Sequence, residues 1–107
     1  MNNLYQLFFY VSETYLEQVK NAVFEAGAGR VGNYLHCAWQ TKGEGQFCPL
    51  SGSNPYIGKI NHLEKVIEYK VETVCEKQYL DAVIKALCVA HPYETPAYGI
   101  IKFLLKS

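Results

Sequence analysis

The sequence repeats itself once, at an offset of 64 residues. Shifting the chain by that distance superimposes identical or similar residues: Tyr5 on Tyr69, Tyr15-Leu16 on Tyr79-Leu80, Glu17 on Asp81, Val19 on Val83, Ala22 on Ala86, Ala26 on Ala90 and Tyr34 on Tyr98. A duplicated structural unit explains this self-similarity better than chance does. Because 107 residues is the usual size of one domain, the repeat predicts a single domain made of two similar halves.

Within each half, the spacing of the apolar residues changes from two to 3.6 and back to two. This succession is typical of a strand, a helix and a second strand. Ser12 is the expected N-cap of the first helix, and Gly27 is expected to end it. The predicted strands are Leu4–Val11, about Tyr34–Thr41, Ile67–Thr73 and about Ala97–Leu104, and the second helix is predicted at about Glu76–Ala90.

Two β-α-β units in tandem predict an α+β fold, namely a ferredoxin-like sandwich with a four-stranded antiparallel sheet and two helices on one face. In this topology the second and fourth strands form opposite edges of the sheet. The other sheet face has no helix to cover it, although the strands carry many aromatic residues: Tyr5, Phe8, Phe9, Tyr10 and Trp39. We therefore expect the protein to oligomerise through that face or through the sheet edges.

Residues 42–64 are an insertion relative to a plain version of this fold, forming a hairpin or loop. Lys42–Gly45 is predicted to be a turn that folds Gln46–Cys48 back on the preceding strand, with Trp39 and Phe47 as a cross-strand pair. A stretch rich in turn formers follows, from Pro49 to Gly58. Two interpretations stay open, which do not exclude each other: an arm that grips a neighbouring subunit, and a ligand-binding loop.

The charge balance and the cysteines restrict the function classes. Ten basic and ten acidic residues give zero net charge, which argues against nucleic-acid binding. The first apolar stretch is far shorter than the roughly 20 residues that cross a bilayer, and it lacks the features of a signal peptide. We therefore expect a cytoplasmic protein with no membrane partner. The four cysteines form no CxxC motif, and Cys75 and Cys88 are predicted to be free thiols in the core.

The densest group of chemically capable residues is the turn from His91 to Tyr98. Pro92 and Pro96 restrain its backbone, which suits a binding site and equally suits a structural turn. In the second interpretation His91 interacts with the end of the helix, and Glu94 accepts a hydrogen bond from a backbone amide.

A metal site is one alternative for these residues. His36 and Cys37, predicted on the strand after the first helix, would join His91 and Glu94 to form a ligand set suited to Zn or Cu. The two pairs lie at opposite sheet edges, so they would meet only across a subunit interface. His62 is predicted to be a solvated loop residue. A small hydrolase, using His91 and Glu94 as acid and base, is a further alternative that lacks a convincing nucleophile.

The sequence also carries a family resemblance. Its motifs resemble the domain inserted in bacterial Ngg-one-interacting-factor-three-like proteins, through Phe24–Tyr34, His36-Cys37, Trp39, Gly43–Phe47, Pro55, Ile57-Gly58 and Ala90–Glu94. The stretch from His91 to Pro96 is also similar to the corresponding turn of the CutA divalent-ion-tolerance proteins, which are trimeric relatives of the PII signalling fold.

The resemblance implies one PII/CutA-like domain over residues 1–107, a stand-alone version of the inserted domain. The metal-dependent hydrolase role of full-length members does not carry over, because their dinuclear metal site lies outside this domain. We therefore expect a non-enzymatic regulatory homo-oligomer, with a trimer favoured, that binds a small molecule or a divalent metal ion at subunit interfaces. The resemblance and the turn place the ligand site on His36, Asn54, Tyr56, His91, Tyr93 and Glu94.

Overall fold

The computed structural model describes residues 4–103, which form one four-stranded antiparallel sheet and two α-helices. In chain order the elements are β1 (Leu4–Ser12), a short 3-10 helix (Glu13–Tyr15), α1 (Leu16–Glu25), β2 (Ala38–Phe47), β3 (Glu64–Glu76), α2 (Lys77–Ala90) and β4 (Tyr98–Phe103). The strand order β2-β3-β1-β4 places β2 and β4 at opposite edges, so the predicted α+β topology is confirmed. Leu104, the predicted end of the last strand, lies outside the described residues. No helix in this range is long and apolar enough to cross a membrane.

The core lies between the helices and one face of the sheet. Along β1, Leu7, Phe9 and Val11 alternate with half-buried residues and are fully buried. The helices contribute matching apolar stripes, with Val19 and Val23 from α1 and with Val83 and Leu87 from α2 also fully buried. Burying each of these side chains stabilises the fold by roughly 1.5–3 kcal/mol.

The opposite sheet face carries the strand residues that alternate with the buried ones. Phe8 of β1 lies directly opposite Glu72 of β3, which in turn lies opposite Trp39 of β2. The Lys70 ammonium group lies 5.2 Å from the centre of the Phe8 ring. Among residues 4–103 no helix covers this face, and Trp39 is 69% exposed. We call it the open face.

Residues 30–37 form a turn, so the predicted strand at about Tyr34–Thr41 is wrong in its first four residues. Val31 and Tyr34 form an isolated bridge that closes the turn, and His36 has a left-handed backbone with φ of 59°. The Thr73 hydroxyl donates a hydrogen bond to the Cys37 carbonyl at 2.6 Å, which fixes the end of the turn on β3. In the sequence repeat Tyr34 matches Tyr98, which is the first residue of β4. The strand that follows Tyr34, β2, begins only at Ala38.

The predicted turn at Lys42–Gly45 is also wrong, because β2 continues through it. Gly43 pairs with Glu68 and Gly45 pairs with Val66, within one unbroken ladder that ends at Phe47 opposite Glu64. Trp39 and Phe47 therefore lie on the same strand and form no cross-strand pair. The inserted segment without helix or strand is residues 48–63, shorter than the predicted 42–64. We call it the inserted loop.

The cysteines divide between the core and the surface. All four are free thiols. Cys75 is buried as predicted, and burial raises the pKa of its thiol to about 11, with a further contribution from Glu76. Cys88 was predicted in the core but is exposed on α2, because it lies beside the apolar stripe of that helix and not on it.

Candidate functional site

A cavity of about 440 Å³ lies between the inserted loop and the turn that follows α2. Its volume falls in the range of small-molecule sites, roughly 300–1,000 Å³. It is lined by Gln46, Phe47, Cys48, Pro49, Leu50, Ser53, Pro55, Tyr56, Ile57, Glu68, Tyr93, Glu94 and Thr95. Three of the predicted ligand residues, Tyr56, Tyr93 and Glu94, are therefore brought together here.

The inserted loop is held against the turn by one hydrogen bond and one aromatic contact, and against the short 3-10 helix by a second aromatic contact. The Asn54 backbone N–H donates to Glu94 Oε1 at 2.9 Å, so Asn54 contributes its main chain and not its amide side chain. The Tyr56 ring meets the Tyr15 ring edge-on at 5.6 Å and the Tyr93 ring at 6.2 Å. Aromatic pairs of this kind contribute about 0.5–1.5 kcal/mol each beyond their buried area. The position of the loop thus depends on Glu94, Tyr93 and Tyr15.

Glu68 joins the sheet to the cavity and was not among the predicted site residues. The Tyr93 hydroxyl donates a hydrogen bond to Glu68 Oε2 at 2.8 Å. Burial, and then the interaction with this carboxylate, raise the pKa of the Tyr93 phenol well above its usual value. Gly45, on the neighbouring strand, makes room for Glu68, because any side chain at position 45 would overlap that carboxylate.

Sequence reasoning missed Glu68, Phe47 and Tyr15 because each has an ordinary explanation. Glu68 occurs in the alternating pattern of β3, where a charged residue is expected on a solvated face. Phe47 and Tyr15 are aromatic residues on secondary-structure elements. Only the path of the inserted loop places them beside Tyr56, and the sequence carries no signal for that path.

His91 is buried behind Tyr93 and does not line the cavity. Its Nε2 lies 2.7 Å from the Tyr10 carbonyl oxygen, and its Nδ1 accepts a hydrogen bond from the Tyr93 N–H at 3.2 Å. This arrangement requires a neutral ring with the proton on Nε2. Burial lowers the pKa of His91, partly offset by the bond to Tyr10 and by the charge of Glu68. His91 therefore acts as a positioning residue for the turn.

His36 and Cys37 lie at the other end of β2, about 30 Å along the strand from the cavity at 3.3 Å per residue. The His36 ring stacks on Phe24, with centroids 4.9 Å apart and an angle of 11° between the planes. Cys37 borders a separate depression of about 400 Å³. Within residues 4–103 of one chain, no three His, Cys, Asp or Glu side chains converge as a metal site would require. His62 is exposed, as expected for a solvated loop residue.

The charge around the cavity is one-sided. Glu68 and Glu94 are the charged residues in its lining, and no Lys, Arg or His lines it among the described residues. Neither carboxylate forms an ion pair within residues 4–103, where the ion pairs join Lys20 to Glu17, Lys42 to Glu13 and Lys70 to Glu72. The cavity thus combines two carboxylates with aromatic and proline walls.

The same fold and much of the sequence occur in known proteins. A Bacillus cereus protein related to NIF3, solved by crystallography, matches 95% of this chain at 35% identity and a TM-score of 0.81, over 26% of its own length. A relative from Bacillus subtilis, named GTP cyclohydrolase 1 type 2 homolog, is 47% identical over 97 residues, which is 91% of this chain and 26% of that protein. The chain is related to one domain of the NIF3-related proteins. NIF3 abbreviates the interacting factor named above, so the predicted resemblance is confirmed.

The chain spans about a quarter of the length of the curated relatives that it matches. CutA from Synechococcus elongatus has the same fold, with a TM-score of 0.68 at 20% identity, over 97% of this chain and 80% of that protein. The CutA likeness establishes the fold alone. No family model matches the chain.

Proposed function

We propose that this domain is a non-enzymatic regulatory module of the CutA and PII type, which binds a small ligand in the cavity under the inserted loop. The cavity of about 440 Å³, closed on one side by a loop and on the other by the turn at Tyr93 and Glu94, is the observation that carries the proposal. A ligand that contacts both sides would bias the position of the loop, because the loop is held by few contacts. Loop position is then the signal that the module transmits.

Three features favour binding over catalysis. Both ring nitrogens of His91 are engaged with backbone groups, so the proposed acid–base pair with Glu94 has no free imidazole. Within the described part of the chain, no histidine lines the cavity to activate the Cys48 thiol. The chain matches 26% of the Bacillus subtilis relative named GTP cyclohydrolase 1 type 2 homolog, and we do not extend that activity to it.

We also propose that the domain forms a homo-oligomer, with a trimer favoured. The proposal further places it in the cytoplasm, without a nucleic-acid partner. The open face carries Trp39 and Ile101, which are 69% and 50% exposed. Exposed apolar groups on one sheet face are typical of a surface that another subunit covers. Four free thiols fit a reducing compartment. Zero net charge supports the absence of a nucleic-acid partner.

Backbone amide NMR with a small-metabolite library tests the cavity. The library contains amino acids, nucleotides, sugars, carboxylic acids and amines. We expect at least one compound to shift the amides of Asn54, Tyr56 and Ile57 and of residues 93–95, and to bind more weakly to Tyr56→Ala. Leu63→Ala is the control, because Leu63 is an exposed residue of the same loop that does not line the cavity. Shifts confined to other surfaces, or none with any compound, would contradict the proposal.

A divalent metal ion is the second candidate ligand, favoured by the exposed His36 ring beside the half-buried Cys37 thiol at the surface. Glu94 of a neighbouring subunit, which is exposed, would complete the site, whereas the predicted ligand His91 is buried with both ring nitrogens bound to backbone groups and is not available to a metal ion. Calorimetric titration of Zn²⁺ and Cu²⁺ into the wild type, His36→Gln and Glu94→Gln tests it. If the site exists, each variant binds metal more weakly than the wild type. Identical isotherms would exclude these residues as ligands.

A further inference from the structure

We infer that the cavity selects organic cations, meaning ligands that carry a protonated amine or a quaternary ammonium group. The inference rests on the proposed function and narrows it to a ligand class. It is carried by two carboxylates without a cationic partner and by the aromatic rings that surround them.

The first step is the charge. Glu68 and Glu94 receive hydrogen bonds from neutral donors, the Tyr93 hydroxyl and the Asn54 N–H. The second oxygen of each carboxylate, Glu68 Oε1 and Glu94 Oε2, has no hydrogen-bond donor within residues 4–103. A concave site lined by charge of one sign attracts ligands of the opposite sign, and its low-dielectric walls strengthen that attraction. The lining therefore favours cations and disfavours anions.

The second step is the aromatic lining. The Tyr56 and Tyr93 rings lie 6.2 Å apart with their planes inclined by 33°, and Phe47 lines the same cavity. Ring faces attract ammonium groups through the negative potential above the ring. The Tyr93 hydroxyl already donates to Glu68, so its ring is fixed in this orientation before a ligand enters.

The third step separates organic cations from metal ions. Ca²⁺ takes six to eight oxygen ligands, and Mg²⁺ requires an octahedral set. The cavity offers two carboxylates and the neutral side-chain oxygens of Gln46, Ser53 and Thr95, and the rest of its wall is apolar. Within residues 4–103 no three His, Cys, Asp or Glu side chains converge there to hold a metal ion. An alkylated ammonium group is weakly hydrated and carries apolar surface of its own, so it matches this lining better than a hydrated metal ion.

A charge series of one molecular shape tests the inference. Choline is the cation, and 3,3-dimethyl-1-butanol is its neutral isostere, with a tert-butyl group in place of the trimethylammonium group. The anion is 3,3-dimethylbutyrate, which carries the same tert-butyl group and a carboxylate. Amide NMR titration at fixed pH gives the dissociation constant of each, from the shifts of Asn54, Tyr56 and Ile57 and of residues 93–95. We expect choline to bind roughly tenfold more tightly than the neutral isostere, the combined effect of a cation–π contact and an unpaired carboxylate. The anion should not bind, and added salt should weaken choline binding.

Matched variants locate the effect. Glu68→Gln and Glu94→Gln remove one charge each while keeping an oxygen that accepts the existing hydrogen bond, and each should weaken choline binding several-fold. Glu44→Gln makes the same charge change on β2 outside the cavity lining and should leave binding unchanged. Tyr56→Leu should weaken choline binding, whereas Tyr56→Phe keeps the ring and should not.

The outcomes separate this inference from the proposed function. Equal binding of the three probes in the cavity, or preference for the anion, overturns the cation inference and leaves the ligand-binding function in place. If other compounds of the metabolite library bind in the cavity while choline and the library amines do not, the cation inference is likewise overturned and the ligand-binding function stands. If no compound of any charge binds in the cavity, both fail.

Discussion

The two ring nitrogens of His91 hold the turn after α2 in place, and this makes the fold sensitive to pH. Nε2 donates to the Tyr10 carbonyl, and Nδ1 accepts from the Tyr93 N–H. A proton on Nδ1 would remove that acceptor and place a charge in a buried site. Because the pKa of His91 is lowered in the folded state, the unfolded chain binds the proton more readily at mildly acidic pH. Its contribution to stability is therefore present above about pH 6.5 and is lost as the pH falls below that value.

We predict that His91→Gln lowers the free energy of unfolding by about 2–4 kcal/mol at pH 8, through lost packing and two unsatisfied backbone groups. The variant should also lose part of the wild-type decrease in stability between pH 7 and pH 5. Urea unfolding followed by circular dichroism at several pH values measures both effects. His62→Gln is the control, because His62 is exposed, and it should behave as the wild type does. An unchanged pH dependence in His91→Gln would show that His91 is not the responsive group.

At the scale of one strand, two glycines of β2 have different surroundings although they are two residues apart. A side chain at position 43 would meet nothing within 4 Å, whereas one at position 45 would overlap the Glu68 carboxylate. The end of a glutamate side chain moves easily, so the cost of Gly45→Ala is the loss of the bond from Tyr93 to Glu68 and not a disrupted backbone.

We predict that Gly43→Ala is neutral or stabilises the protein by about 0.5 kcal/mol, because alanine has less backbone freedom in the unfolded chain. Gly45→Ala should be less stable than Gly43→Ala by about 1 kcal/mol, the contribution of a typical hydrogen bond. It should also lower the pKa of Tyr93, because Glu68 raises it in the wild type. Chemical denaturation and NMR titration of the tyrosine ring carbons measure these effects. Equal stability and equal Tyr93 titration in the two variants would contradict the role assigned to Gly45.

These glycines also show why the sequence predicted some elements and not others. Period-two and period-3.6 patterns located β1, α1, β3 and α2, because burial of one face imposes those periods. Gly43 and Gly45 indicate a turn by local preference, yet ten consecutive backbone pairings with β3 keep them in a strand. Tyr93 and Glu94 were found because prolines flank them. Glu68 was missed because its role depends on a hydrogen bond between residues 25 positions apart.

At the scale of the whole molecule, the sheet has one covered face and one open face. The helices bury Leu7, Phe9 and Val11 on the covered side. On the open side, Ile101 lies on the edge strand β4, where it pairs with Gln6 of β1. Trp39 lies on β2, the strand at the opposite edge of the sheet. The β2–β3 hairpin also makes the molecule elongated, with a longest dimension of 48 Å against 24 and 22 Å. A broad open face and a projecting hairpin together favour contacts with further copies of the chain.

We predict that the wild type self-associates and that Ile101→Lys prevents it, because a lysine at the centre of an apolar contact leaves a charge without a partner. Light scattering after gel filtration should give the wild type a mass near three times 12.1 kDa and shift Ile101→Lys toward 12.1 kDa. Val89→Lys is the matched control: Val89 is 78% exposed on α2, away from the sheet, and this variant should keep the wild-type mass. A monomeric wild type at micromolar concentration would contradict the oligomer, whereas association that Val89→Lys alone disrupts would move the interface from the open face to the helices.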